Sequence, residues 1–247
     1  MFKLALGGIS IAPNQDKASS VLDLGCGTGI WSCQFAESHS SAQVLGVDIV
    51  PPTAPPGGRL VPPNCTFVQA NVEDDWEFAV SRTFDFIYAR LLIAGLKDWS
   101  RLFDRVYQHL SPGGIFELYE GVIIIAADDN TTSKDSAIMR WYEQLRHFVG
   151  ARGVNPDAPV TFTELLQHRG FKMLEDRKIK TYLDPHKAAA HTTNGSKVAT
   201  ELTSDLRRLI NNMTDKVFKA EDQRRLASEA LEDLSQNSGS RGYHCVQ

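Results

Sequence analysis

Strand-length apolar runs alternate along this chain with segments of helical spacing. Val21–Leu24, Ala42–Val47, Thr66–Gln69, Thr83–Ala89 and Ile115–Ile125 read as five successive strands, apolar enough to be covered on both faces. Between them, Ile30–Phe35 is amphipathic, and Asp98–Leu110 sets Trp99, Leu102, Phe103, Val106 and Leu110 at the i, i+3, i+4, i+7 spacing of a helix that Ser111-Pro112-Gly113-Gly114 ends. Residues 51–63, rich in Pro and Gly, predict a connection without regular structure. The order β, α, β, α is that of an α/β fold, a doubly wound and mostly parallel sheet with helices on both faces. Helices are then predicted over Ser133–Val149 and Thr161–Arg169, a sixth strand over Phe171–Tyr182, helical stretches near 197–213 and 219–235, and a last strand over Arg241–Val246. The sheet so read has seven strands, with a helical insertion at 183–240 ahead of the last one.

The most informative stretch is Val21–Trp31, in which an apolar run carrying Asp23 ends in Gly25, Gly27 and Gly29 before the first helix. Three glycines in five residues let the backbone turn sharply and come into contact with a ligand. The free N–H groups of the helix that follows favour polar or anionic groups at the same spot. A dinucleotide fingerprint, G-x-G-x-x-G, would need its third glycine at residue 30, which is Ile30. Nicotinamide-dependent oxidoreduction is therefore disfavoured. Asp48 ends the second strand 19 residues beyond Gly29, about where a strand–helix–strand unit returns to the same edge of the sheet.

Composition narrows the class. With 42% hydrophobic and 23% charged residues in 247, the chain predicts one packed domain. A net charge of −4 with scattered Lys and Arg argues against a nucleic-acid partner. No segment approaches the roughly 20 apolar residues of a membrane helix, and Met1–Ala12 lacks the features of a signal peptide. Cys26, Cys33, Cys65 and Cys245 form no C-x-x-C pair and read as reduced thiols. The sequons at Asn64, Asn130, Asn194 and Asn212 are then chance matches in a cytoplasmic or nuclear protein. The seven histidines do not join cysteines or acids at metal-ligand spacing, so no metal is expected.

The G-x-G-x-G that follows Leu22-Asp23-Leu24 resembles motif I of the class I S-adenosylmethionine-dependent methyltransferases. Taken with Val72-Glu-Asp-Asp-Trp76, Phe84-Asp-Phe-Ile-Tyr-Ala-Arg90, Lys97-Asp-Trp99 and Leu110-Ser-Pro-Gly-Gly-Ile-Phe-Glu-Leu-Tyr-Glu120, it is similar to the fungal LaeA-like methyltransferases, regulators and cluster-encoded enzymes of secondary metabolism. The similarity covers about residues 20–125. It implies a Rossmann-like, single class I methyltransferase domain over 1–247, with a short N-terminal segment 1–20, a cofactor-binding core 20–125 and a helical lid 183–240. It also implies S-adenosylmethionine as cofactor, S-adenosylhomocysteine as product, and a small molecule or protein as methyl acceptor. Relatives carry a longer helical segment ahead of the first strand, so the resemblance implies either a shortened family member or cover for the cofactor from elsewhere, a second copy of the chain or a regulatory protein.

The resemblance assigns the cofactor to Asp23, Gly25, Cys26, Gly27, Gly29, Asp48, Ile49, Asn71, Val72, Tyr88 and Arg90. In it Asp48 takes the ribose hydroxyls, and Asn71 stands where relatives usually have an acid for the adenine amino group. Tyr88 and Arg90 either frame the methionine carboxylate or simply close the strand end. Glu120, past the fifth strand, is the candidate base or acceptor-orienting group, with an ion pair to Arg90 as the alternative; Glu117 would point elsewhere. The acidic run Glu73–Asp75 reads as a helix N-terminus, and His109 as structural. His147 and His191 are the histidines best placed to face a substrate, with solvated or capping roles as the alternative. A different class, a regulatory module that binds cofactor or only a partner, fits the same residues.

Overall fold

In the computed structural model, residues 8–53, 57–127, 136–177, 180–183, 185–191, 194–218, 220–236 and 243–246 are described. Asn130 and the first residues of the predicted 133–149 helix lie outside them. The chain divides into two compact units, Gly8–Glu120 with Asp157–Asp176, and Gly121–Pro156 with Arg177–Gln247 and the first seven residues. Each has its own core.

The first unit is built on five strands, β1 Ser20–Leu24, β2 Gln43–Asp48, β3 Cys65–Gln69, β4 Phe84–Arg90 and β5 Leu110–Tyr119, with helices α1 Ile30–Ser38 and α2 Trp99–His109 between them. The spatial order is β3-β2-β1-β4-β5 and every pairing is parallel. Side chains alternate across the pleat, which sends Leu22 and Leu24 to one face of β1 and Val21 and Asp23 to the other. On the first face they meet Trp99, Leu102, Phe103 and Val106 of α2, and on the second Trp31 and Phe35 of α1 packs beside Val21. Asp98 starts α2 as its N-cap, accepting from the Arg101 N–H at 2.9 Å.

Several predicted elements form differently. Ile115–Ile125 is two strands, β5 ending at Tyr119 and β6 Val122–Ala127 lying in another sheet. The break falls at Glu120-Gly121, where the Glu120 carboxylate accepts from the main chain after β4. Among the described residues, Phe171–Tyr182 gives only β7 Lys180–Tyr182, and Phe171 packs against Tyr107 and Phe116. Glu73 does not begin a helix of its own; its Oε1 accepts from the Lys97 and Asp98 amides at 2.8 and 3.0 Å. Asp75 pairs with Arg101 and Arg105 of α2. Among the described residues, in place of one seven-stranded sheet there are a five-stranded parallel sheet and a three-stranded antiparallel one, β6-β8-β7, with β8 at Tyr243–Val246.

The second unit holds that small sheet with helices α3 Ala137–Gly150, α5 Pro185–His191, α6 Gly195–Lys216 and α7 Glu221–Gln236, α4 Phe162–His168 belonging to the first. Its core gathers Trp141 and Ile138 of α3, Leu206 and Ile210 of α6, and Leu226, Ala230 and Leu234 of α7. Among the described residues no helix is long and apolar enough to cross a membrane.

Asn64, one of the sequon asparagines, is a structural tie. Its half-buried Nδ2 donates toward the carbonyls of Ala36, His39 and Ala42 at 3.1, 3.2 and 2.8 Å, joining the end of α1 to the starts of β2 and β3. Asn64→Ala is expected to lower stability by about 1–2 kcal/mol, since it strands carbonyls that water reaches poorly. Urea denaturation measures this, and an unshifted midpoint would refute the tie.

Candidate functional site

Strand order reverses between β1 and β4, because the chain runs outward through β2 and β3 and then returns to the far side of β1. Ligands of open α/β sheets sit at the carboxyl ends of strands at such a reversal. A cavity of about 190 Å³ lies there. Asp23 and the glycine loop form one side of it, and Tyr88, Arg90 and Leu91 from the end of β4 form another, with Trp31 of α1 also lining it.

The glycines of the loop differ in what surrounds them. All three have positive φ, 65°, 54° and 71° at Gly25, Gly27 and Gly29, a conformation that costs side-chain-bearing residues. A methyl at Gly25 would run into the Leu92 side chain, and one at Gly29 would lie 2.6 Å from the Phe67 ring. Above Gly27 nothing lies within 4 Å. The loop is thus walled at both ends and open at its middle.

Asp48 supports that middle. Its Oδ2 accepts from the Gly27 N–H at 2.8 Å and its Oδ1 from the Val50 N–H at 2.9 Å. Each oxygen retains a lone pair, and the residue is only half buried. Ile49 beside it is 62% exposed. Asn71 Oδ1 accepts from the Glu73 N–H at 3.1 Å, a turn within its own loop. Val72 packs against the main core.

Asp23 is buried, and its Oδ2 accepts from the Ser32 hydroxyl at 2.5 Å. Burial pushes its carboxyl up to about 7, against the opposing pull of Ser32 and Arg90. Burial likewise raises the Tyr88 phenol, which lies stacked on Trp31 with ring centroids 3.8 Å apart. Cys26, Cys33 and Cys65 are free and buried, and burial holds all three thiols above their ordinary range.

Two glutamates near the end of β5 are held by main-chain amides. Glu120 Oε1 accepts from the Leu92 N–H at 2.6 Å and Oε2 from the Ile93 N–H at 3.2 Å, so the candidate base is engaged by main chain. Glu117 is buried and accepts from the Ser10 hydroxyl at 2.6 Å and from the Ile11 and Ala12 amides at 3.1 and 2.9 Å. It fixes segment 8–12, whose Ile9 carbonyl in turn accepts from Trp31 Nε1 at 2.7 Å. No local sequence signal marks a partner more than a hundred residues away. His109 Nδ1 donates to the Arg82 carbonyl at 3.0 Å. His147 is exposed on α3, and His191 stacks on Tyr182 at 4.5 Å, both in the second unit.

A family model described as a methyltransferase domain matches residues 3–176. The chain belongs to this methyltransferase family. It is 32% identical over 171 residues to the methyltransferase pytC of Aspergillus terreus, covering 69% of this chain and 51% of pytC. It is 33% identical over 174 residues to the secondary metabolism regulator LAE1 of Cochliobolus heterostrophus, covering 67% of this chain and 55% of that one. The chain therefore spans about half the length of these curated relatives. A solved O-methyltransferase of a Brevibacillus brevis trans-AT polyketide synthase, in complex with S-adenosylhomocysteine, aligns with 99% of this chain and 69% of its own, at 14% identity and a TM-score of 0.48.

The buried acid gives a pH dependence of stability. Burial pushes Asp23 up to about 7 in the fold, from the ordinary carboxylate value of 3.8, so the folded chain keeps a proton that the unfolded chain gives up. That contribution is complete below pH about 4 and is lost as pH rises through about 7. Asp23→Asn keeps the shape but cannot ionise. It is expected to gain stability relative to wild type between about pH 5 and pH 8, by up to about 1.4 kcal/mol per pH unit below pH 7. Chemical denaturation at the two pH values reads this out, and parallel pH profiles would refute it.

Proposed function

We propose that this chain is an S-adenosylmethionine-dependent methyltransferase that transfers a methyl group to an oxygen, nitrogen or carbon acceptor on a small secondary metabolite or a protein. The observation that carries the reading is the open floor above Gly27, held from beneath by Asp48 at the reversal in strand order. Membership of the methyltransferase family supports it.

The residues fit the cofactor. Asp48, with a lone pair left on each oxygen, suits the ribose hydroxyls, and exposed Ile49 with Asn71 and Val72 would border the adenine. Gly25, Cys26, Gly27 and Gly29 would underlie the methionine part, with Arg90 and Tyr88 toward its carboxylate and Asp23 toward its amino group. Pockets for whole ligands typically measure about 300–1,000 Å³, so the cavity beside the loop suits the methionine end, and the nucleoside would extend toward Asp48.

Bound there, the cofactor supplies a methyl group on a sulfonium. No new anion has to be stabilised in that displacement, and the protein contributes chiefly alignment, a term worth up to about 7–11 kcal/mol. Glu120, committed to two amides, is assigned to loop support rather than to proton transfer. His147 remains the candidate on the acceptor side. Organisation as one methyltransferase domain over 1–247, with a core at 20–125 and a helical lid at 183–240, is part of the same proposal, as are a cytoplasmic or nuclear location and a second copy or a regulatory protein as partner.

The regulator name of one relative favours a second reading, in which the chain binds cofactor and acts through a partner with little turnover. Calorimetric titration with S-adenosylhomocysteine tests what both readings share, and no binding at millimolar ligand would sink them. Release of S-adenosylhomocysteine from S-adenosylmethionine in the presence of fungal metabolite extracts would separate turnover from binding alone. Asp48→Ala is expected to weaken binding about tenfold or more, as loss of hydrogen bonds to a charged group costs about 1.5–3 kcal/mol. Unchanged affinity would remove Asp48 from the site.

A further inference from the structure

The loop after β4 carries a feature that methyl-transfer chemistry does not require. Leu91 has φ of 55°, a left-handed conformation that a leucine side chain opposes. It is 46% exposed and lines the cavity. Its own N–H donates to the Tyr119 carbonyl at 2.9 Å. The next two amides, of Leu92 and Ile93, point at Glu120 and donate to its two oxygens at 2.6 and 3.2 Å. Leu92 in turn fills the space beside Gly25 that a Cβ there would need.

We infer that Glu120 is a positioning residue: by accepting two consecutive main-chain amides, it holds Leu91 in its left-handed conformation against the cavity and seats Leu92 on Gly25. Charge-assisted bonds to a carboxylate are the stronger class of hydrogen bond, and two of them offset the unfavourable backbone state of Leu91. Released, the loop would relax toward negative φ, carrying Leu91 out of the cavity wall and Leu92 off the glycine loop. Glutamine has the same shape but carries an NH2 in place of one oxygen, so one of the two amides loses its acceptor and faces a donor. Glycine at 91 adopts positive φ without help.

The inference rests on the proposed cofactor site, and the experiment separates the two. Affinity for S-adenosylhomocysteine is measured by calorimetry for wild type, Glu120→Gln, Leu91→Gly and the double variant, with thermal denaturation to verify folding. Glu120→Gln is expected to weaken binding about tenfold, in line with loss of one bond to a charged acceptor. The double variant is expected to regain most of the wild-type affinity, which neither a base nor a general contribution to stability would allow. Wild type that fails to bind would refute the cofactor reading itself. Wild type that binds, with Glu120→Gln binding equally well or the double variant staying as weak as Glu120→Gln, would overturn the positioning role. Should Glu120→Gln not fold, amide hydrogen exchange of the wild-type chain decides: protected Leu92 and Ile93 amides support the clamp, and exchange at unprotected rates overturns it.

Discussion

A carboxylate accepting main-chain N–H groups is the interaction on which the first unit depends. Asp48 takes the amides of Gly27 and Val50, Asp85 those of Ser19 and Ser20, Glu73 those of Lys97 and Asp98, Glu117 those of Ile11 and Ala12, and Glu120 those of Leu92 and Ile93. Strand pairing satisfies the amides inside the sheet, but those of the loops at its ends have no ladder to join. A negatively charged acceptor reaching two of them at once substitutes for that ladder and fixes the direction in which the loop leaves. The binding surface proposed for the cofactor is made of such loops, so its shape is set by acids that need not touch a ligand.

Much of this frame could be read from the chain before any coordinates. The glycine spacing, the acid at position 48 and the alternation of apolar runs with helical segments each rest on local rules of period and backbone freedom, and local rules act within a few residues. What was not legible depends on distant partners. The run 115–125 is strand-like despite Glu117, Glu120 and Gly121, and nothing in its pattern tells that β5 joins β4 while β6 joins β8. Glu117 and Glu120 look alike in the sequence, three residues apart in a strand-like stretch. One is buried beneath segment 8–12 and the other holds the loop after β4, a distinction that only the strand order creates.

The second unit illustrates the converse. Three of its helices, α3, α6 and α7, fall where the sequence predicts helices, α5 Pro185–His191 is not among those predicted, and Trp141, Ile210, Ala230 and their neighbours form a core as buried as that beneath the large sheet. Short strands were harder, since a three-residue strand such as β7 carries too few side chains for a period to be visible. Apolar runs measure how much surface must be covered, and the choice of which strand covers it belongs to topology.

The unequal surroundings of the three loop glycines divide labour between neighbouring residues. At Gly25 and Gly29 the space for a side chain is already filled by Leu92 and Phe67, so a substitution there is answered by the core. At Gly27 it faces open volume, so a substitution there meets the cost of the positive φ and whatever the loop is meant to hold, but no core residue. Core packing therefore bears on the outer two glycines and ligand recognition on the middle one, on top of the left-handed backbone that all three share.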